Sequence, residues 1–221
     1  MKNLLKFAAM LCLSVCMFSL YGCSNEDSPT NSDGSFEGLD VTNLKRGDVV
    51  GAQYVKNEAG HWVPLKFTPL SEGDFNVEVT NRAWGSYESW DINESGKAKA
   101  KKPVKLEDGN IMLGGVGWHN YSFDKIGECT VYVWSDAYPI NYRYQSTYKY
   151  DAVTGAFSRT NEDGGDMYID FYVLGLEKKD GKTYLWTSDS QEVECYIETT
   201  KEYLMEEYPY EWDEVKEMLP H

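Results

Sequence analysis

Asn141-Tyr142-Arg143-Tyr144-Gln145-Ser146-Thr147-Tyr148-Lys149-Tyr150-Asp151 is the most regular stretch of this chain. Tyr142, Tyr144, Ser146, Tyr148 and Tyr150 share one face of an extended strand; Arg143, Gln145, Thr147 and Lys149 share the other. Successive side chains of a strand point to opposite faces, so this alternation predicts one buried and one wet face. Ala152-Val153-Thr154-Gly155 reads as a turn that sends the chain back into a strand at 156–160.

The same pattern extends in both directions. Residues 167–174 and 182–187 pair across Lys178-Lys179-Asp180-Gly181, and 191–198 closes the β region. Upstream, 117–123 and 128–134 read as strands, and 104–106 and 111–113 bracket a Glu107-Asp108-Gly109-Asn110 turn. Residues 48–56 and 61–67 flank Asn57-Glu58-Ala59-Gly60 as a hairpin, and 74–80 and 87–93 alternate with period 2. Many short strands joined by tight turns predict a mainly β fold, an antiparallel β-barrel or a β-sandwich. At the C-terminus the period changes. Thr199-Thr200-Lys201-Glu202 matches a capping box with Thr199 as N-cap, and the helix runs to about Tyr208 before Pro209 breaks it. Trp212, Val215, Met218 and Leu219 recur at helical spacing, as the buried stripe of a helix laid on the β core. Residues 38–221 thus read as one β domain, with 199–219 helical.

The first 22 residues read as a signal peptide: Lys2 and Lys6 precede an apolar run too short to span a bilayer. Leu20-Tyr21-Gly22-Cys23 resembles the lipobox of bacterial lipoproteins, which implies that Cys23 is acylated and becomes the new N-terminus. Ser24-Asn25-Glu26-Asp27 is similar to the export signal of surface lipoproteins of the Bacteroidota type, and reads equally as a solvated tether. Residues 23–37 lack the apolar content to order themselves and form a flexible acidic tether. The expected location is the outer membrane, held by the lipid, with the periplasmic side and the cell surface both open.

Removing 1–22 takes away only Lys2 and Lys6, leaving 19 basic against 36 acidic residues, a net charge of −17. Such a surface repels phosphate backbones and anionic headgroups, so nucleic acid is excluded as a partner and the membrane is reached only through the lipid. Cys12 and Cys16 leave with the signal. Cys129 and Cys195 remain in an oxidising compartment, each on a strand face with apolar neighbours, where they form a disulfide or stay as separate buried thiols.

Catalytic signals are thin. The chain has His61, His119 and His221, with no nucleophile elbow, zinc-binding helix motif or phosphate loop. Asp91-Ile92-Asn93-Glu94-Ser95-Gly96 copies half of a calcium loop, but Lys102 stands at the twelfth position, where a bidentate Glu is needed. No catalytic residue, metal or cofactor is expected. Four residues are candidates for ligand contact. Trp118 and His119 follow a glycine-rich run, and Tyr132 and Trp134 oppose the apolar Cys129-Val131-Val133 face.

The order Tyr148-Lys149-Tyr150-Asp151-Ala152-Val153-Thr154-Gly155-Ala156-Phe157, then 168–176, then Thr183-Tyr184-Leu185-Trp186, resembles the later half of lipocalin-like lipoproteins of the same bacterial group. The resemblance implies a lipocalin-like barrel that binds a small apolar or amphipathic molecule without enzymatic turnover. A surface glycan-binding or adhesion module using exposed aromatics is the alternative, and a hydrolase the third.

Overall fold

A computed structural model describes residues 38–101, 104–105, 111–112, 119–135 and 140–218. The expected signal peptide, Cys23, the expected tether, the expected Glu107–Asn110 turn, Trp118 and Leu219 lie outside the described residues. In chain order the elements are α1 (Arg46–Gly51), β1 (Tyr54–Lys56), β2 (Trp62–Pro64), α2 (Glu72–Glu78), β3 (Ala83–Ile92), β4 (Ala98–Ala100), β5 (Val104–Lys105), β6 (Ile111–Met112), β7 (His119–Lys125), β8 (Glu128–Ser135), β9 (Ile140–Asp151), β10 (Ala156–Arg159), β11 (Tyr168–Lys179), β12 (Lys182–Ser188), β13 (Glu192–Thr199), α3 (Lys201–Glu207), β14 (Tyr210–Glu211) and α4 (Trp212–Met218).

The fold is mainly β, built on a closed eight-stranded antiparallel barrel. Strands β7 to β13 each pair with the next in sequence, and β3 joins β7 on one side and β13 on the other. The ring therefore closes, and the sandwich alternative falls, because no edge remains to separate two sheets. Strands β3, β8, β10 and β12 rise from a lower to an upper end; β7, β9, β11 and β13 return. Strand β9 behaves as its alternation predicts. Tyr142, Tyr144 and Tyr148 are buried in the lumen, while Gln145, Thr147 and Lys149 are exposed.

Helix α2 plugs the lower end, where residues 74–80 were expected to be a strand. Phe75, Val77 and Val79 do alternate, but the helix uses Phe75 and Val79, one turn apart, and leaves Val77 72% exposed. Ser71 caps it, its hydroxyl accepting from Asp74 N at 3.0 Å. Phe75 stacks on Tyr150 at 4.1 Å and meets Phe123 and Tyr148 edge-on. Burial of one aromatic ring in the barrel end outweighs the weak local preference for a strand.

A second apolar core lies outside the barrel wall. Residues 39–67 wrap over β3, β11, β12 and β13, and Leu44, Val49, Tyr54 and Trp62 pack on Trp90, Leu174, Trp186 and Val193. Residues 48–56, expected as one strand, are split between α1 and β1, because Val49 and Ala52 bury completely from one helical turn. The 61–67 strand shortens to β2, paired with β1 across the expected Asn57–Gly60 turn. A bulge at Gly175 lets this segment approach β11. Its φ is +139°, and a Cβ there would meet Val41 O at 2.6 Å.

The second core explains why the cysteine pairing fails. Cys129 points into the lumen, whereas Cys195 points outward among Trp90 and Trp186. Both are buried and free. Strand β13 is covered on both faces, so its apolar Val193 and Cys195 mark the outer core rather than the lumen.

The C-terminal elements pack on the outer wall through α3 and, through Trp212 and Val215 of α4, against the lumenal cluster at the upper end. Thr199 still pairs with Ala83 in β13, so the helix cap falls one residue later: Thr200 Oγ1 accepts from Tyr203 N. Helix α3 buries Leu204 on Ala83 and Tyr132. After Pro209, β14 pairs in parallel with β9, Tyr210 beside Tyr142, where the short β10 no longer reaches. Arg143 holds the segment, donating to Tyr208 O at 2.6 Å and pairing with Glu211 at 2.6 Å. From α4, Trp212 lies on the Tyr142 ring at 5.1 Å and Val215 is buried.

Candidate functional site in the upper half of the barrel

An eight-stranded barrel has an interior just wide enough to be filled by side chains or to hold one small ligand. Here the two halves differ. In the lower half Trp84, Phe123, Tyr148, Phe157 and Phe171 fill the space under α2, and Phe157 stacks on Phe171 at 4.6 Å. In the upper half polar side chains take over from three directions.

The first group centres on Arg159, at the top of β10, which is 0% exposed. Its guanidinium grips the Asp170 carboxylate through Nε and Nη2 and donates from Nη1 to the Tyr144 hydroxyl. Tyr121 donates to the same carboxylate at 2.7 Å. The guanidinium also lies against the rings of Tyr121, Tyr144 and Tyr168 at 5.1–5.9 Å. Arg159 and Asp170 thus satisfy each other.

The second group is a row across three strands. Glu194 of β13 is directly opposite Thr187 of β12 and Ser89 of β3. All three share the lumen face, since Val193, Trp186 and Trp90 beside them point into the outer core. Tyr196 donates to Glu194 Oε2 at 2.6 Å. Ser89 is 4% exposed and Thr187 0%, yet neither hydroxyl has a hydrogen-bond partner among the described residues. Buried polar groups are usually paired, so two adjacent orphans on one wall are unusual. Glu194 keeps partial solvent contact. Burial nevertheless pushes its carboxyl up to about 8, against the hydrogen bond from Tyr196.

The third group guards the rim. Lys101 pairs with Glu192 and reaches Asp91 at 3.7 Å. His119 opens β7 with its side chain on the same face as Tyr121, at 6.4 Å between rings, and burial pushes it down to about 4. It is therefore neutral at physiological pH. Cys129 is lumenal too, but burial pushes its thiol up to about 12, so it is an inert filler. Among the described residues no cluster of His, Cys, Asp and Glu has the makings of a metal site.

The sequence-chosen contact residues do not converge. Of the two that follow the glycine-rich run, only His119 is described, and it is lumenal. Tyr132 is 0% exposed under α3, its hydroxyl 3.2 Å from Ser122 Oγ, and is no contact for a ligand. Trp134 is 41% exposed on the outer wall, in a groove with Ile140, Pro209 and Tyr210. The residues that do line the upper lumen, Arg159, Asp170, Glu194, Ser89 and Thr187, carry no motif. The one signal for them is parity: Glu192, Glu194 and Tyr196 alternate as regularly as their apolar neighbours do.

No protein family, curated protein or solved structure matches this chain.

Proposed function

We propose that this protein is a lipid-anchored envelope binding module, not an enzyme, that holds one small molecule in the upper half of its barrel. The observation that carries this reading is the pair of buried, unpartnered hydroxyls of Ser89 and Thr187 flanking Glu194. Leaving a buried hydroxyl unpaired costs about 1–3 kcal/mol, a cost that a ligand supplying the missing hydrogen bonds removes. The sequence favoured an apolar or amphipathic ligand. The aromatic half of the lumen is occupied by side chains, so the interior favours a ligand whose buried end is polar.

The test uses the soluble chain starting at Phe36. Small polar metabolites, long-chain fatty acids and oligosaccharides are screened by thermal shift and Trp fluorescence. A small polar molecule should raise Tm by mass action, and Thr187→Val should weaken it. Saturable binding of fatty acids alone would overturn the polar reading.

The glycan alternative has an observation of its own. Trp134 and Tyr210, 41% and 43% exposed, line one outer groove, the sort of aromatic surface on which sugar rings stack. Oligosaccharide binding that Trp134→Ala abolishes and Thr187→Val leaves intact would favour it.

A further inference from the structure

We infer that the ligand of the upper lumen presents a primary ammonium group, received by Glu194 together with Thr187 Oγ1, the more deeply buried of the two unpartnered hydroxyls that flank it. This rests on the lumen-binding reading above and deepens it. The argument begins with charge. Arg159 is matched by Asp170, and Lys101 by Glu192 and Asp91. His119 is neutral. Glu194 is left as the lumenal acid with no ion-pair partner among the described residues; its one hydrogen bond comes from a tyrosine hydroxyl. An anionic ligand would face Glu192, Asp91 and Asp170 with both nearby cations already engaged. A cation instead lets the Glu194 carboxyl ionise opposite it.

Geometry selects the kind of cation. A primary ammonium has three donors and no acceptor. Directly opposite residues on paired strands place their side chains about 5 Å apart, so Glu194 and Thr187 offer carboxylate and hydroxyl oxygens within reach of one nitrogen, while Ser89 lies on the far side of Glu194, about 10 Å from Thr187. A quaternary ammonium has no N–H and would leave the Thr187 hydroxyl unpaired. An alcohol would pair with a hydroxyl but carries no charge to ionise the carboxyl.

A proton readout follows. The charged and titratable groups that face Glu194 are Glu192 and Tyr196 on its own strand, Asp170 on β11, Tyr121 on β7 and Asp189 in the β12–β13 turn; Lys101 stands at the rim. In this largely acidic setting the empty site holds Glu194 mostly protonated at pH 7. A docking ammonium ionises it, and the carboxyl proton leaves to the buffer.

The experiment is calorimetric titration of the chain starting at Phe36 at pH 7, in buffers of different ionisation enthalpy. The probes are n-butylamine, tetramethylammonium, butan-1-ol and butyrate. Butylamine should bind saturably with release of close to one proton, and the other three roughly tenfold or more weakly. Glu194→Gln should lose about 10- to 100-fold in butylamine affinity and the proton release with it. Thr187→Val, which keeps the acid, should lose affinity but retain the proton release, and it stands in if Glu194→Gln fails to fold. Equal binding of butanol or butyrate, or butylamine binding without proton release, overturns the amine. If another polar class then binds with sensitivity to Thr187→Val, the lumen reading survives. If no polar class binds, both fall.

Discussion

Arg159 shows what it takes to keep a charge inside this barrel. No part of it meets solvent, and carboxylate, tyrosine hydroxyl and three aromatic rings surround it. Removing one partner of such a pair typically costs about 3–5 kcal/mol, because the other charge is stranded. Glu194 and His119 are treated differently: both are held in the neutral form. Their linkage to stability has opposite sign. Glu194 titrates near 4.5 when unfolded and about 8 when folded, so between those values the folded chain keeps a proton that the unfolded chain loses, and stability falls as pH rises. His119 titrates near 6.5 unfolded and about 4 folded, so across that range stability rises with pH. The two oppose each other from 4.5 to 6.5, and Glu194 acts alone from 6.5 to 8. There the loss should be at most about 1.4 kcal/mol per pH unit. Urea unfolding of parent and Glu194→Gln at pH 6.5 and 8 checks this. The parent should lose more stability than the variant; equal losses would remove Glu194 as the source.

At the scale of elements, what was legible was what depends on one strand and its turn. Strand β9, the Lys178–Gly181 hairpin and the break at Pro209 follow from alternation, from two consecutive positive-φ residues (Asp180 at 52°, Gly181 at 75°) and from a missing N–H. The rest depended on what lies above each element. Residues 74–80 alternate yet fold as α2 because the barrel end needs a plug. Tyr132 looked like a spare aromatic until α3 covered it. The lumenal site was illegible because β13 is buried on both sides, and periodicity cannot say which face is the inside. The plug can be tested. Phe75→Ala should cost about 3–5 kcal/mol by emptying the stack against Tyr150. Ser71→Ala should cost only about 1 kcal/mol for the lost cap. Chemical denaturation that ranks the two the other way would mean that α2 is held by its own propensity rather than by the aromatic cluster.

As a whole molecule, the protein is a barrel whose N-terminal wrap sets where it can be cut. Leu39 donates its N–H to Lys66 O at 3.2 Å, Leu44 donates to Leu176 O at 3.3 Å, and Val41 joins the lumenal core past Gly175. Upstream of these contacts the sequence reads as a tether, whose proposed task is reach rather than stability. The lipid expected at Cys23 must then supply the membrane affinity alone, because a mature chain of net charge −17 is repelled by anionic headgroups. One acyl chain binds membranes only marginally, so stable anchoring needs the multiple chains that a lipidated N-terminal cysteine carries. Anchoring and folding should therefore separate cleanly. Cys23→Ser should move the protein from the membrane to the soluble fraction with its Tm unchanged. A chain starting at Phe36 should show the same Tm, whereas one starting at Gly47 should lose several kcal/mol with Leu39, Val41 and Leu44. Fractionation with thermal unfolding reads both. A Cys23→Ser protein that stays with the membrane after normal signal cleavage would mean that something other than the lipid holds the barrel there.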